Sequence, residues 1–104
     1  MTIEQIETMV ETIHTFGELS QQVKAMEELG ELIQAIAKVL SSPRHIDNGP
    51  EVYHLSEEMA DVEIMLEQLK IIYRLHDRVA TWRTLKLGRL RNRIDREEGR
   101  KSDG

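Results

Sequence analysis

The sequence predicts an all-α fold, a four-helix antiparallel bundle, and three observations carry that prediction. Apolar residues recur every three or four positions through most of the 104-residue chain, which is the period of an amphipathic helix. Both prolines fall in residues 41–51, a segment that is also rich in Ser, Asn, Asp and Gly and is therefore predicted to be a loop. The other connections are short, which favours antiparallel neighbours.

Four segments have helical periodicity: 3–15, 18–40, 51–75 and 78–96. A short break near His76-Asp77 separates the last two. The apolar stripe expected to face the core on the second helix consists of Val23, Met26, Leu29, Ile33, Ile36 and Leu40. The corresponding stripe on the third helix consists of Leu55, Met59, Val62, Leu66, Leu69 and Tyr73.

Length and composition predict a single domain over residues 1–96 with a flexible polar tail at 97–104. A domain of this size buries only about two-thirds of its unfolded surface, so a partner copy would add to a modest core. The chain has no cysteine, and its N-terminus lacks the basic and apolar regions of a signal peptide. No apolar run approaches the roughly 18 residues of a membrane span. We therefore expect a cytoplasmic protein that does not contact membranes.

Charge is divided unevenly along the chain, whose formal net charge is −5. Residues 1–73 hold four Lys or Arg and fourteen Asp or Glu, whereas residues 74–104 hold ten and five. This division suits one part to cations and the other to anions, or it lets the two parts attract each other. Nucleic-acid binding through the basic end is not expected, because phosphate-driven affinity needs a broad basic surface.

Two similar acidic motifs lie in the second and third helices: Glu27-Glu28-Leu29-Gly30-Glu31 and Glu57-Glu58-Met59-Ala60-Asp61. Each contains carboxylates three residues apart on one helical face, where like charges destabilise a helix. On a helical wheel, four of the carboxylates lie beside the apolar stripes and face one interhelical seam: Glu28, Glu31, Glu58 and Asp61. The same wheel directs Glu27 and Glu57 away from the seam. Because all four ligands are hard oxygens, the seam is predicted to bind Mg²⁺ or Mn²⁺.

The double motif resembles the signature of the all-α nucleoside triphosphate pyrophosphohydrolases, the MazG-like proteins and their dimeric dUTPase relatives. That signature is EExxE, a spacer, and then ExxD, and the spacer here is residues 32–57. The segments AMEELGELIQAI and LSEEMADVEIMLEQL resemble the two helices that carry it, and TLKLGRLRNRI resembles a later basic helix. The likeness covers residues 15–95 and is greatest to compact single-domain members, including phage-type ones. No dUTPase-type continuation follows the third helix, so the resemblance does not extend to uracil specificity.

The resemblance implies hydrolysis of a nucleoside triphosphate to the monophosphate and pyrophosphate, in the house-cleaning or control of nucleotide pools. It implies Mg²⁺ as cofactor, with Mn²⁺ as a substitute, and assembly as a homodimer or homotetramer. The residues that it implies for both metal binding and catalysis are Glu28, Glu31, Glu58 and Asp61. The general base stays open between Glu27, the nearest further carboxylate, and a member of the metal set.

Basic and aromatic side chains are expected to contact the rest of the substrate. The candidates are Lys24, Lys86, Arg89 and Arg93 for the phosphates and Trp82 for the base. Phe16, Tyr73 and His54 are further candidates. The basic residues would equally suit a solvated face or ion pairs with the acidic residues of 1–73. The aromatic residues would equally suit a core position, and His54 would suit an exposed helix end. The alternative function is a non-catalytic helical module that binds nucleotide or metal and acts as a regulator or interaction partner.

Overall fold

The computed structural model describes residues 1–42 and 49–103. Its four α-helices are α1 (Ile3–Phe16), α2 (Glu18–Ser41), α3 (Pro50–Tyr73) and α4 (His76–Asp103). No strand occurs in the described residues, so the predicted all-α class and the four helices are confirmed. Residues 43–48, most of the predicted loop, lie outside the described residues. None of the helices in the described ranges is long and apolar enough to cross a membrane.

The chain divides into two units, residues 1–73 and 74–104. The first contains α1, α2 and α3, which pack on one another, and the second contains α4. The predictions of one domain over residues 1–96 and of a single antiparallel four-helix bundle therefore stay predictions.

α1 begins at a complete capping box. The Thr2 hydroxyl accepts a hydrogen bond from the Gln5 backbone N–H at 3.1 Å, and the Thr2 backbone N–H donates to Gln5 Oε1 at 2.9 Å. These two bonds satisfy backbone groups that a helix start otherwise leaves to solvent. The helix ends at Gly17, whose φ of 93° is a conformation that glycine adopts readily, and α2 begins at the next residue.

α2 and α3 are antiparallel and make the main helix contact of the first unit. Tyr73 at the end of α3 donates its hydroxyl hydrogen bond to Gln22 near the start of α2. Glu31 in the middle of α2 approaches Glu58, which belongs to the first half of α3. The buried apolar residues of the described chain are Met9, Ala25, Ala35, Val62 and Met65. Two of these five are alanines, so the core of the first unit is small.

The face of α2 that packs against the rest of the unit is not the predicted one. All six residues of the predicted stripe are exposed, and Met26 and Ile33 are 65% and 68% exposed. The buried residues of α2 are instead Gln21, Ala25, Glu28 and Ala35. The prediction was wrong because α2 is apolar on opposite sides, and the side with small residues lets a neighbouring helix approach more closely.

The predicted stripe of α3 is correct only in part. Val62 is buried, and Leu55 and Leu69 are half-buried. The other three members of the stripe are exposed: Met59, Leu66 and Tyr73. The remaining buried residues of α3 are Glu58, Met65 and Gln68. As in α2, some polar side chains are buried, and the spacing of the large apolar residues does not predict their burial.

The break between α3 and α4 lies at Arg74-Leu75, two residues before the predicted position. Arg74 has a φ of 55°, and a residue in this left-handed conformation commonly ends a helix. Asp77, which was expected in the break, occupies the first turn of α4. A negative charge is favourable there, because the helix dipole is positive at its N-terminus.

The C-terminal end of α4 lies beyond the predicted end at residue 96. The helix continues through the polar residues to Asp103. Within this extension, Arg100 pairs with Glu97 at 3.0 Å across one helical turn. Such pairs stabilise an exposed helix by roughly 0.2–0.5 kcal/mol each, which favours helix in a segment without an apolar stripe.

Candidate metal centre

Three carboxylates from α2 and α3 meet in the middle of the first unit. One oxygen from each of Glu28, Glu31 and Glu58 lies within 4.8 Å of the other two. Glu28 and Glu31 come from successive turns of α2, and Glu58 comes from the antiparallel α3. The spacing within the two acidic motifs therefore brings these three side chains to one place.

Two members of this carboxylate cluster are buried and incompletely hydrogen-bonded. Glu28 is 9% exposed and Glu58 is 6% exposed, whereas Glu31 is exposed. The Oε2 atoms of both Glu28 and Glu58 are buried and have no hydrogen-bond partner. A buried acceptor without a partner costs about 1–3 kcal/mol, and more when it carries charge. A cation among the three carboxylates would remove both this penalty and their mutual repulsion.

The second oxygen of each buried carboxylate contacts a basic side chain one helical turn earlier. Lys24 Nζ lies 3.3 Å from Glu28 Oε1, and His54 Nε2 lies 3.5 Å from Glu58 Oε1. The Lys24 and His54 side chains are about half exposed, at 53% and 48%. On both helices the basic residue is therefore at the solvent side, and the unpaired oxygen of the carboxylate is buried.

Asp61, the fourth predicted ligand, is half-buried and lies outside the cluster of three. It borders a pocket of about 870 Å³ between α1, α2 and α3, as do Glu28 and Lys24. The two acids that the helical wheel directed away from the seam, Glu27 and Glu57, are exposed.

Two buried glutamines of this pocket were not identified from the sequence. Gln21 precedes Glu28 by seven residues, and Gln68 follows Asp61 by seven. Residues seven apart share a helical face, so this spacing was the available signal. Gln68 Oε1 is buried and has no hydrogen-bond partner. Phe16 also lines the pocket, whereas Tyr73 is engaged with Gln22.

The remaining predicted substrate contacts belong to the second unit. Trp82, Lys86, Arg89 and Arg93 are exposed on α4 at intervals of four, three and four residues, so they share one face. Lys86 Nζ lies 5.9 Å from the centre of the Trp82 ring, which is the distance of a cation–π contact. Arg89 and Arg93 border a shallow concavity on the same helix.

The carboxylate cluster fits a hard divalent cation. Its three donors are all carboxylates, a set that favours Mg²⁺ or Mn²⁺ over zinc or copper. Mg²⁺ in proteins is commonly held by one or two carboxylates and keeps several waters or phosphate oxygens. Glu31 is exposed to solvent, and Glu28 also borders the neighbouring pocket.

Comparison of the chain with models of known families, with curated proteins and with solved structures finds no match. The likeness to the all-α pyrophosphohydrolases therefore rests on the sequence motifs and their spacing.

Proposed function

We propose that the chain hydrolyses nucleoside triphosphates to the monophosphate and pyrophosphate, with Mg²⁺ as its cofactor. The main support is the meeting of Glu28, Glu31 and Glu58, which leaves two buried carboxylate oxygens without partners. A triphosphate is repelled by such a cluster unless a divalent cation lies between them. A hard cation is therefore required both by the carboxylates and by the substrate.

Each residue of the cluster has a role in this proposal. Glu28, Glu31 and Glu58 hold Mg²⁺, and Asp61, three residues after Glu58, serves as the fourth ligand. When bound, Mg²⁺ polarises a phosphoryl oxygen and lowers the pKa of a coordinated water. Lys24, which already contacts Glu28 at the pocket, supplies a positive charge to a phosphate oxygen.

The size of the pocket supports a ligand of nucleotide dimensions. Its volume of about 870 Å³ lies within the roughly 300–1,000 Å³ that is usual for small-molecule sites. Both Glu28 and Asp61 border it, so a ligand in the pocket would lie beside two of the four proposed metal ligands. Lys86, Arg89, Arg93 and Trp82 stay predictions from the sequence as further substrate contacts.

We further propose that the first unit pairs with a second copy through the outer face of α2. This outer face consists of the exposed residues Leu19, Val23, Met26, Ile33 and Leu40, with Gly30 and Ala37 at the intervening positions. Its spacing alternates between three and four residues, which is the repeat of paired helices. A second copy is the favoured occupant, because the unit has few buried apolar residues and the same face on each copy would be self-complementary.

The experiment that tests the activity is pyrophosphate release from a panel of ribo- and deoxyribonucleoside triphosphates with Mg²⁺. We expect release from at least one nucleotide and none without divalent metal. Glu31→Gln and Asp61→Asn are each expected to abolish turnover while the helical circular dichroism spectrum persists. Glu57→Gln removes an exposed carboxylate beside Glu58 and is the matched control, with wild-type turnover expected.

Two outcomes would contradict parts of this proposal. Wild-type turnover in Glu31→Gln or Asp61→Asn would show that the metal assignment is wrong. A folded protein that binds Mg²⁺ or nucleotide but releases no pyrophosphate from the whole panel would favour the alternative, a non-catalytic binding module.

A further inference from the structure

We infer that the pocket of the first unit holds the base of the nucleotide and that Gln68 accepts a hydrogen bond from an N–H group on the edge of that base. The inference rests on the proposed function, in which the phosphates lie at the carboxylates. It makes Gln68 a base-binding residue. The ligand class is a nucleobase with an N–H on the edge remote from the sugar.

The pocket has two chemically different ends. Glu28 and Asp61 mark an acidic end, and Gln21 and Gln68 mark an amide end. Because α2 and α3 are antiparallel, the seven-residue steps from Glu28 back to Gln21 and from Asp61 on to Gln68 lead in the same direction. Seven residues of α-helix rise by about 10 Å, which is comparable to the distance from the phosphates of a nucleotide to the far edge of its base.

The amide end contains a buried acceptor that lacks a donor. Gln68 is 3% exposed, it lines the pocket, and its Oε1 has no hydrogen-bond partner. Buried polar atoms in native proteins are nearly always paired, so an unpaired one on a side chain that lines a pocket favours a ligand that supplies the donor. The bases offer such a donor as a ring N–H or an exocyclic amine.

Apolar side chains line the same pocket between its two ends. Met9, Ile64 and Met65 contribute them from α1 and α3, and Phe16 lies at the end of α1. Thioether and aromatic groups pack well against flat rings. An aliphatic ligand would fill this space and leave Gln68 Oε1 unpaired, whereas a base satisfies both the apolar walls and the acceptor.

The kinetic test compares each nucleotide that the chain hydrolyses with an analogue methylated at the edge N–H. UTP with N3-methyl-UTP, and ATP with N6,N6-dimethyl-ATP, are suitable pairs. The wild-type chain is expected to favour the parent nucleotide by at least about tenfold in kcat/KM, because the analogue leaves a buried acceptor unpaired. Gln68→Met keeps the side-chain length without polar atoms, and it is expected to lower kcat/KM for the parent and to bring the ratio within about twofold of one. Gln34→Met, at an exposed position of α2, is the matched control and should keep the wild-type ratio.

A binding test on the wild-type chain does not depend on turnover. Uridine, cytidine, adenosine, guanosine and thymidine are titrated without metal into ¹⁵N-labelled protein, and the side-chain amide resonances of Gln68 and Gln34 are followed. We expect the Gln68 resonances to shift with at least one nucleoside and those of Gln34 to stay. The Gln68 resonances are assigned by their absence in Gln68→Met.

The two tests separate failure of the inference from failure of the proposed function. If no nucleotide releases pyrophosphate but a nucleoside shifts Gln68, the function is wrong and the base site is supported. If pyrophosphate is released but Gln68→Met keeps the wild-type ratio, or no nucleoside shifts Gln68, the inference is overturned and the function stands. If Gln68→Met does not fold, the same resonances are assigned with Gln68→Glu and the titration decides.

Discussion

The two faces of α2 reverse the usual arrangement of a helix in a folded protein, in which large apolar residues are buried and polar residues are exposed. The inner face buries Gln21, Ala25, Glu28 and Ala35, which are small or polar. The outer face exposes Leu19, Val23, Met26, Ile33 and Leu40, which are large and apolar. Burial of apolar area normally decides which side of a helix faces the core. In the first unit, α2 therefore gains less from apolar burial than its composition allows.

Each face of α2 is suited to a separate task. The face of small and polar residues lets α3 pack closely, and it places carboxylates where they can bind a ligand. A face of large apolar residues is useful to stability only when it is covered, and a second copy of the chain can cover it. Variants on each face should therefore affect different measurements, and three experiments test this separation.

The largest effect is expected from charges on the outer face. Met26→Glu with Ile33→Glu should convert the proposed dimer to a monomer, because each large apolar side chain contributes about 1.5–3 kcal/mol when it is buried. Sedimentation velocity should report the halved mass. Gln34→Glu adds a charge to a polar, exposed part of α2 and should leave the mass unchanged. A wild-type chain that is already monomeric at high concentration would contradict this prediction.

The next effect is expected from the carboxylate cluster. Mg²⁺ at 100 times its dissociation constant should stabilise the wild-type chain by about 2.7 kcal/mol. In a chain of this size that corresponds to a rise in melting temperature of roughly 10–20 °C. The rise should be absent in Glu28→Gln with Glu58→Gln. The control pair, Glu27→Gln with Glu57→Gln, changes the adjacent exposed acids and should keep the rise. An equal response in both pairs would mean that Mg²⁺ binds elsewhere.

The smallest of the three effects concerns the space on the inner face. Ala35 is 1% exposed, so Ala35→Leu should overpack the contact of α2 with the rest of the unit. We expect the free energy of unfolding in urea to fall by about 1–3 kcal/mol. The same change at exposed Ala80 in α4 should stay within about 0.5 kcal/mol of the wild type. A stable Ala35→Leu variant would show that the inner face is not closely packed.

The sequence was sufficient to predict the four helices, and three of the four acids predicted at one seam lie together in the structure. Apolar periodicity and the clustering of Pro43 and Pro50 gave four helices, and the three-residue spacing of Glu28 and Glu31 put both on one face near α3. The outward direction of Glu27 and Glu57 followed from the same wheel. The helices and the direction of each acid on its own helix depend on local geometry, which a sequence pattern contains.

The inner face of α2 could not be predicted, because local geometry does not decide between two apolar sides. Ala25 and Ala35 carry little hydrophobic signal, yet their small size lets another helix approach. Gln21 and Gln68 are polar, so the apolar pattern gave no reason to place them among the buried residues. The end of α3 was also missed, since Arg74 adopts a left-handed conformation without the Gly or Asn that usually indicates one.

α1, which the single residue Gly17 joins to α2, affects the energetics of ligand binding in the pocket. Among the described residues of α1, Met9 alone is buried, so little apolar area holds this helix to α2 and α3. Local opening of α1 is therefore expected at a lower free energy than opening of the α2–α3 pair. Because α1 forms one wall of the pocket, a ligand can bind fully only when that wall is closed. The apparent affinity for the ligand is then the intrinsic affinity multiplied by the fraction of molecules in which α1 is closed. As the pocket fills with ligand, the protection of the α1 amides from hydrogen exchange therefore rises.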